Sequence, residues 1–222
     1  MEGKQHRMYN AQTCQDVFVD KILNKDGGFF VDIGAGTGGL PSSNPGFYSN
    51  TYFFEAFRSW TGIAIDYDSD WYFSVKNSRN CKCVCEDLLE KNINEILSEN
   101  ECPELIDYIS IDVDDAQWKV FHDLNFSKYK FNVLTLEHNL FQTLESCTQN
   151  RSEEHKQKVL KEYDAYREVL SSHGYKILWA DVNLDGYGPV EDWWVSQEIF
   201  DRYADIYSES NNFKEAFNVI SR

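Results

Sequence analysis

The stretch Val31-Asp32-Ile33-Gly34-Ala35-Gly36-Thr37-Gly38-Gly39 decides the fold, because it joins a short apolar run to a loop rich in glycine. The apolar run, Phe29–Ile33, is predicted as a buried β-strand. Glycine allows the backbone to turn tightly and to approach a ligand closely. A strand that runs into such a loop is typical of α/β sheets that bind a ligand at the carboxyl ends of their strands.

The rest of the chain alternates short β-type runs with amphipathic helical patterns, which predicts a doubly wound, mostly parallel α/β sheet with helices on both faces. The longest helical pattern ends at Gly174, a typical C-terminal cap. The last two strands have only the turn-rich residues 181–189 between them, so we expect an antiparallel hairpin at one edge. The seven predicted strands are Phe29–Ile33, Gly62–Asp66, Cys81–Cys85, Tyr108–Asp112, Phe131–Glu137, Tyr175–Ala180 and Asp192–Val195.

Length and composition predict one globular domain. The chain has 222 residues, of which 42% are hydrophobic and 26% charged, enough to bury a full core. We divide the single domain 1–222 into a leading helix within residues 1–28, a core at 29–195 and a tail at 196–222. The tail carries aromatic and aliphatic residues that suggest a docked helix or a dimer contact, so a monomer and a homodimer both stay open.

The net charge of −16 argues against nucleic acid and anionic membrane surfaces as partners, because phosphate groups would be repelled. The six cysteines are too few and too scattered for a disulfide-rich scaffold. No signal-peptide pattern and no apolar run of membrane-spanning length is present in the sequence. We therefore expect a cytoplasmic protein.

The glycine-rich loop has two interpretations. Gly34, Gly36 and Gly39 fit the dinucleotide pattern G-x-G-x-x-G, with Glu55 at a suitable distance downstream. Asp32 to Gly38 also fit D-x-G-x-G-x-G, the first motif of S-adenosylmethionine (SAM) methyltransferases. A dinucleotide site needs a helix directly after the loop, but a second loop follows here and the next helix begins only near Asn50. The sequence therefore favours SAM over a nicotinamide cofactor.

Acidic residues follow the second and third strands. Asp66, followed by Tyr67, ends the second strand, where a carboxylate can accept hydrogen bonds from both hydroxyls of a ribose. Asp87, after the third strand, is placed to accept from an adenine amino group. Either residue could instead cap the next helix. The cysteines of the third strand stand roughly 7 Å apart along one face, which makes them a poor metal site and better small apolar residues.

Asp112, Glu137 and His138 end or directly follow the fourth and fifth strands. Adjacent strands lie about 4.8 Å apart, so we expect these side chains to converge at one mouth of the sheet. Two acids and an imidazole suit a general base that removes a hydroxyl proton. Asp112 and Glu137 could alternatively hold Mg²⁺ or another divalent cation. His138 could equally be a loop residue bonded to backbone, and Asp114 and Asp115 are better helix caps.

With these residues in place, the sequence resembles the FkbM family of SAM-dependent methyltransferases from about Gln12 to Val195. The departure lies at Asp115-Ala116, where family members usually have a glycine after an acidic residue. The matching motifs occur in family order: Gln15-Asp16, Phe30-Val31-Asp32-Ile33-Gly34-Ala35, Ser49-Asn50-Thr51-Tyr52-Phe53-Phe54-Glu55, Trp60-Thr61-Gly62-Ile63-Ala64-Ile65-Asp66, Asp107-Tyr108-Ile109-Ser110-Ile111-Asp112-Val113, Thr135-Leu136-Glu137-His138-Asn139, Gly174-Tyr175 and Glu191-Asp192-Trp193-Trp194-Val195.

The resemblance implies a class I (Rossmann-like) methyltransferase fold and O-methylation of a hydroxyl on a sugar, a glycan or another small molecule. It implies that Asn50, Thr51 and Glu55 hold the methionine end of SAM, with Glu55 on the ammonium. The first-motif residues, which would cradle the cofactor, are Asp32, Gly34, Ala35, Gly36 and Gly38.

Two further expectations concern the acceptor and the activity. We expect Trp193-Trp194 and the loop 181–189 either to form an acceptor wall or to pack in the sheet. A SAM-binding module without turnover stays open. Methylation of nitrogen or carbon is a further alternative, although the Asn-Pro-Pro-Tyr signature of nucleobase-amine methylation is absent after the fourth strand.

Overall fold

A computed structural model describes residues 9–36, 46–145, 147, 151–184 and 188–203, apart from the side chain of Asp115. The predicted cofactor contact Gly38 and the predicted tail from residue 204 onward lie outside the described residues, as do residues 185–187 of the predicted acceptor loop. Among the described residues, no helix combines the length and the apolar character that a bilayer crossing requires.

The sheet has seven strands in the order β3-β2-β1-β4-β5-β7-β6, which confirms the predicted fold class. β1 to β5 run parallel, whereas β7 runs antiparallel to both β5 and β6. Strand order reverses on the two sides of β1, at its borders with β2 and β4. The strands are β1 Phe29–Ile33, β2 Thr61–Asp66, β3 Lys82–Cys85, β4 Leu105–Ile111, β5 Lys130–Glu137, β6 Lys176–Leu184 and β7 Gly188–Val195.

The final hairpin is longer than predicted. Residues 181–184 and 188–189, expected in a loop, extend β6 and β7 instead. The turn-type residues there are absorbed by irregular pairing, with register shifts between Trp179 and Asn183 and a left-handed φ of 53° at Asp181. The turn-type residues of this segment therefore belong to a bulged strand and not to a loop.

Helices cover both faces of the sheet and complete two apolar layers. One layer packs β-strand residues against α4, α5 and α6, and the other packs α1, α2 and α7 against the opposite face. The helices are α1 Gln15–Leu23, α2 Tyr52–Phe57, α3 Ser69–Val75, α4 Ile93–Glu99, α5 Gln117–Asp123, α6 Glu153–Ser172 and α7 Gln197–Tyr203.

Trp193 and Trp194 belong to these layers and not to an acceptor wall. Both side chains are about 1% exposed, and they point to opposite faces of β7 because successive strand residues alternate. Trp193 stacks on Phe18 of α1 at a centroid distance of 4.4 Å, and Trp194 lies in the other apolar layer. The structure therefore supports the expectation that these two tryptophans pack against the sheet.

The loop after β1 presses against the end of β4. Gly34 has a left-handed φ of 89°, and its backbone N–H donates to Ile65 O at 2.9 Å. A Cβ atom at this position would overlap the carbonyl oxygen of Asp112. Both its conformation and its surroundings therefore require glycine at position 34.

Gly34→Ala is expected to destabilise the fold more than Gly174→Ala, by at least about 2 kcal/mol. Gly174 also has a left-handed φ, of 85°, but no atom lies within 4 Å of a Cβ built there. Both variants carry the backbone penalty of about 1–2 kcal/mol, so their difference isolates the collision with β4. Urea unfolding of the two variants measures it, and equal losses of stability would contradict the described approach of the two strands.

Candidate active site

A cavity of about 710 Å³ opens at the carboxyl ends of the parallel strands, where strand order reverses around β1. This is the place where open α/β sheets bind ligands, and the volume suits a nucleoside-sized molecule. Its lining residues are Gln12, Asp32, Gly34, Ala35, Gly36, Tyr48, Ser49, Asn50, Asp66, Tyr67, Asp68, Glu86, Asp87, Leu88, Leu89, Asp112, Val113, Asp114, Ala116 and Glu137.

Most of the side chains predicted from the sequence meet in this cavity. Thr51, Glu55 and His138 do not line it, and Gly38 lies outside the described residues. The predicted cofactor residues in the wall are Asp32, Gly34, Ala35, Gly36, Asn50, Asp66, Tyr67 and Asp87, and the predicted catalytic residues there are Asp112 and Glu137.

Asp66 ties the glycine-rich loop to β2. Its Oδ2 accepts from Gly36 N at 2.7 Å and its Oδ1 accepts from Asp68 N at 2.8 Å. Burial raises its pKa. The cap of α3 is Asp68, which accepts from Asp70 N and Trp71 N, so Asp66 is not the cap. Each Asp66 oxygen has further acceptor capacity, so its position and chemistry fit a ribose diol.

The remaining cofactor candidates at this end differ in their exposure. Tyr67 is 78% exposed and could cover a ligand with its ring. Asp87 accepts from Leu89 N at 2.8 Å, so this carboxylate holds a turn as well as facing the cavity. The helix-cap alternative for Asp87 is wrong, because Asn92 caps α4, and the second oxygen of Asp87 is left for a ligand donor.

Asp32 and Asn50 form the floor of the opposite end. Asp32 is buried and accepts from Thr51 Oγ1 at 2.6 Å, and burial raises its pKa to about 6. Asn50 Nδ2 donates to Ser110 Oγ at 2.9 Å. Thr51 is fully buried and contributes through Asp32 instead of facing the cavity itself.

Glu55 does not hold a ligand ammonium as expected, because it lies behind the cavity wall in an ion pair. Arg79 Nε approaches its two carboxylate oxygens at 3.2 and 3.1 Å, and Cys81 N donates to it at 3.1 Å. Both side chains are buried. Arg79 also donates to Thr51 Oγ1 at 3.0 Å, so the pair supports the floor of the cavity from behind. No local pattern in the sequence indicates this partner, because Arg79 lies 24 residues from Glu55 in the chain.

Asp112 and Glu137 converge at the mouth of the cavity, as their strand-end positions predict. The neighbouring register pair Ile111–Leu136 places them side by side, and their carboxyl groups share a hydrogen bond. Burial raises the pKa of both groups, and the charge of Asp112 raises the pKa of Glu137 further. Two acids this close titrate as a coupled pair, so the pair can hold one proton and still accept another.

His138 does not join these two acids, contrary to our expectation. It follows Glu137, so its side chain lies on the other side of the strand, where it is about 4% exposed. Nδ1 accepts from Leu140 N at 3.2 Å, while Nε2 lies 3.6 Å from Asp192 Oδ1 and 3.7 Å from Asp181 Oδ1. The imidazole thus belongs to a separate polar cluster.

That separate cluster contains the residue types of a metal site, but existing hydrogen bonds make its side chains unsuited to bind a metal. Among the described residues, His138, Asp181 and Asp192 offer ligand atoms within 4.8 Å of one another. However, Arg167 already donates to both carboxylates, at 2.8 to 3.0 Å. The Leu140 N–H also occupies the Nδ1 lone pair, which places the ring proton on Nε2. Nε2 therefore has no lone pair for a metal.

Metal binding by Asp112 and Glu137 is likewise unsupported. Within residues 9–36, 46–145, 147, 151–184 and 188–203, the cluster of three convergent ligands excludes both of them. The residues present fit proton transfer better than divalent-metal binding.

Glu191 is a buried acid next to the site that the sequence did not single out. It pairs with Glu137 in the β5–β7 register, and it accepts hydrogen bonds from Thr13 Oγ1 and from Gln15 Nε2, the latter at 3.2 Å. Burial raises its pKa to about 7. Its place in a family motif was visible, but its partners lie more than 170 residues away in the chain, beyond any local pattern.

Glu191→Gln is expected to stabilise the fold at pH 8 by up to about 3 kcal/mol. The Glu191 carboxyl keeps its proton up to about pH 7 in the folded protein but only to about pH 4.5 in the unfolded chain. The free energy of unfolding therefore falls as pH rises from 4.5 to 7. The advantage of the variant should shrink as pH falls from 7 toward 4.5 and disappear below it. Urea unfolding from pH 4 to 8 measures this trend.

The exposed acid Glu101 gives the matched control for this experiment. Glu101→Gln removes the same charge, and its effect on the unfolding free energy should stay nearly constant over the same pH range. A constant offset between wild type and Glu191→Gln would show that Glu191 titrates normally.

The comparison with protein families gives one match. The model described as methyltransferase FkbM domain matches residues 87–177, which confirms the resemblance stated from the sequence over that segment. It covers β4, β5 and the ends that carry Asp112 and Glu137. No curated protein matches the chain.

Solved structures share the fold at low sequence identity. An O-methyltransferase from Bacillus cereus in complex with SAH has 13% identity and a TM-score of 0.50, over 83% of this chain and 80% of that chain. The plantazolicin methyltransferase BpumL in complex with SAH has 12% identity and a TM-score of 0.51, over 84% and 82%. Residues 87–177 thus resemble the methyltransferase FkbM domain, and the chain as a whole shares the fold of the two methyltransferases solved with SAH.

Proposed function

We propose that the protein transfers the methyl group of SAM to a hydroxyl of a sugar or glycan. The observation that carries the proposal is the Asp112–Glu137 carboxyl pair at the mouth of the 710 Å³ cavity. A sugar hydroxyl is a weak nucleophile, so its attack requires a group that takes its proton. A carboxyl pair with one shared proton meets that requirement without a metal.

The arrangement of the cavity suggests how SAM would lie. Asp66 and Asp87 would bind the ribose and the adenine amino group, with the Gly34–Gly36 loop beneath them. Asn50 and the buried Asp32 would face the methionine end. This orientation directs the sulfur toward Asp112 and Glu137. Two proteins that share the fold were solved in complex with SAH, which supports a SAM-type ligand in this chain.

When bound, SAM supplies an electrophilic methyl group on a sulfonium. The chain's own residues bind the acceptor next to it and hold the hydroxyl in line. Asp112 takes the hydroxyl proton while Glu137 keeps the shared one, so the pair ends the step with both carboxyl groups protonated. SAM held by Asp66, Asp87 and the Gly34–Gly36 loop would supply the methyl carbon for the new bond to the acceptor oxygen, and its sulfur would keep the electron pair of the C–S bond. The proton then leaves to solvent.

Two alternatives keep the same site. The acceptor hydroxyl could belong to a small molecule other than a sugar, or the fold could bind SAM without turnover. The proposal also retains one domain over residues 1–222, a cytoplasmic location, no nucleic-acid partner and a monomer or homodimer. Transfer of labelled methyl groups to defined acceptors separates the three functions.

The double variant Asp112→Asn/Glu137→Gln is expected to lower kcat for methyl transfer by about 10²- to 10⁴-fold, because no carboxylate is left to take the proton. Affinity for S-adenosylhomocysteine should stay within a few-fold. The assay follows labelled methyl transfer from SAM to free hexoses, pentoses and their aryl glycosides, and NMR locates the new methyl group. EDTA should leave the rate unchanged.

Glu86→Gln is the matched control, since Glu86 lines the same cavity away from the mouth. It should retain most of the activity. Transfer to a non-sugar hydroxyl alone would favour the first alternative, and tight cofactor binding without any transfer would favour the second. Undiminished turnover in the double variant would remove the carboxyl pair from the mechanism.

A further inference from the structure

The cavity wall is acidic throughout. Of the described residues that line it, eight are carboxylic acids and none is Lys, Arg or His. The acids surround the whole space, from the predicted adenine end to the mouth. They are Asp32, Asp66, Asp68, Glu86, Asp87, Asp112, Asp114 and Glu137.

The cations that the structure describes beside this region are paired with acids. Lys91 Nζ lies 3.4 Å from Glu86 Oε1 of the wall and 2.7 Å from Glu99 Oε2. Arg79 is buried behind the floor and paired with Glu55, so its charge is offset before it reaches the cavity. Arg167 lies on the other side of β5 and β7, bonded to Asp181 and Asp192. A concave site lined by one sign of charge focuses its potential inward, so the empty cavity is negative.

Three of these acids lie where the reaction would occur. Asp112 and Glu137 lie side by side there, and the exposed Asp114 is a third acid at the same mouth. Under the proposed orientation these groups face the sulfur. SAM carries a net charge of +1 there, whereas S-adenosylhomocysteine, with a neutral thioether, has a net charge of zero.

We propose that this cavity selects its cofactor by charge: it binds the cationic sulfonium form in preference to the neutral thioether product. The inference rests on the proposed function, because it requires SAM in this orientation. Methyl transfer removes the positive charge from sulfur, so the attraction of the sulfonium to these acids ends with the reaction. This releases the product and limits inhibition by it.

Titration calorimetry of the wild-type protein with three ligands tests the inference. The ligands are SAM, S-adenosylhomocysteine and sinefungin, in which a protonated amine on carbon replaces the methylsulfonium. We expect SAM and sinefungin to bind at least tenfold more tightly than S-adenosylhomocysteine at pH 7.5 and low salt. The preference should decline as salt is raised, because ions screen the attraction.

Variants assign the preference to the pair at the mouth. Asp112→Asn/Glu137→Gln should reduce the ratio of affinities severalfold while leaving S-adenosylhomocysteine bound. Glu101→Gln removes an exposed charge far from the cavity wall and should leave the ratio unchanged. The salt series on wild type gives a second measurement that requires no variant to fold.

The outcomes separate this inference from the proposed function. Equal or tighter binding of S-adenosylhomocysteine would overturn charge selection while the methyltransferase site stands. Tight SAM with weak sinefungin would overturn it as well, because the methyl group and not the charge would then be recognised. If none of the three ligands binds, both the inference and the proposed function fail.

Discussion

The close approach of the β1 loop to the end of β4 is the constraint on which the site depends. Gly34 N and Ala35 N both donate to Ile65 O, at 2.9 and 3.0 Å, and Asp112 N donates to Ile33 O at 2.9 Å. These bonds fix three strand ends against one another, with no room for a side chain at position 34. The same contact that closes the sheet therefore places Asp66 and Asp112 on two sides of one cavity.

A second layer of polar contacts holds this arrangement from behind. Thr51 bridges Asp32 and Arg79, and Arg79 in turn holds Glu55. Breaking a buried pair of this kind by removing one partner leaves an uncompensated charge, which typically costs 3–5 kcal/mol. The floor of the cavity is thus rigid. Because Arg79 is already paired with Glu55 behind the floor, the acids that line the cavity keep their negative potential.

Much of the fold and part of the candidate site could be predicted from local sequence. The alternation of strands and helices gave the sheet, and the position of an acid at a strand end was enough to place Asp66, Asp112 and Glu137. Contacts between distant parts of the chain were not predictable. Glu55 looked like a ligand group until Arg79 paired with it, and His138 differs from Glu137 by the one-residue alternation that reverses a side chain in a strand.

The central claim is that the carboxyl-end cavity is a SAM site with its reactive end at Asp112 and Glu137. A crystal structure with S-adenosylhomocysteine bound tests this most directly. The account predicts the ribose hydroxyls on Asp66, the adenine near Asp87 and the thioether sulfur facing the Asp112–Glu137 pair. A ligand bound elsewhere, or one reversed so that adenine lies against Asp112, would contradict it.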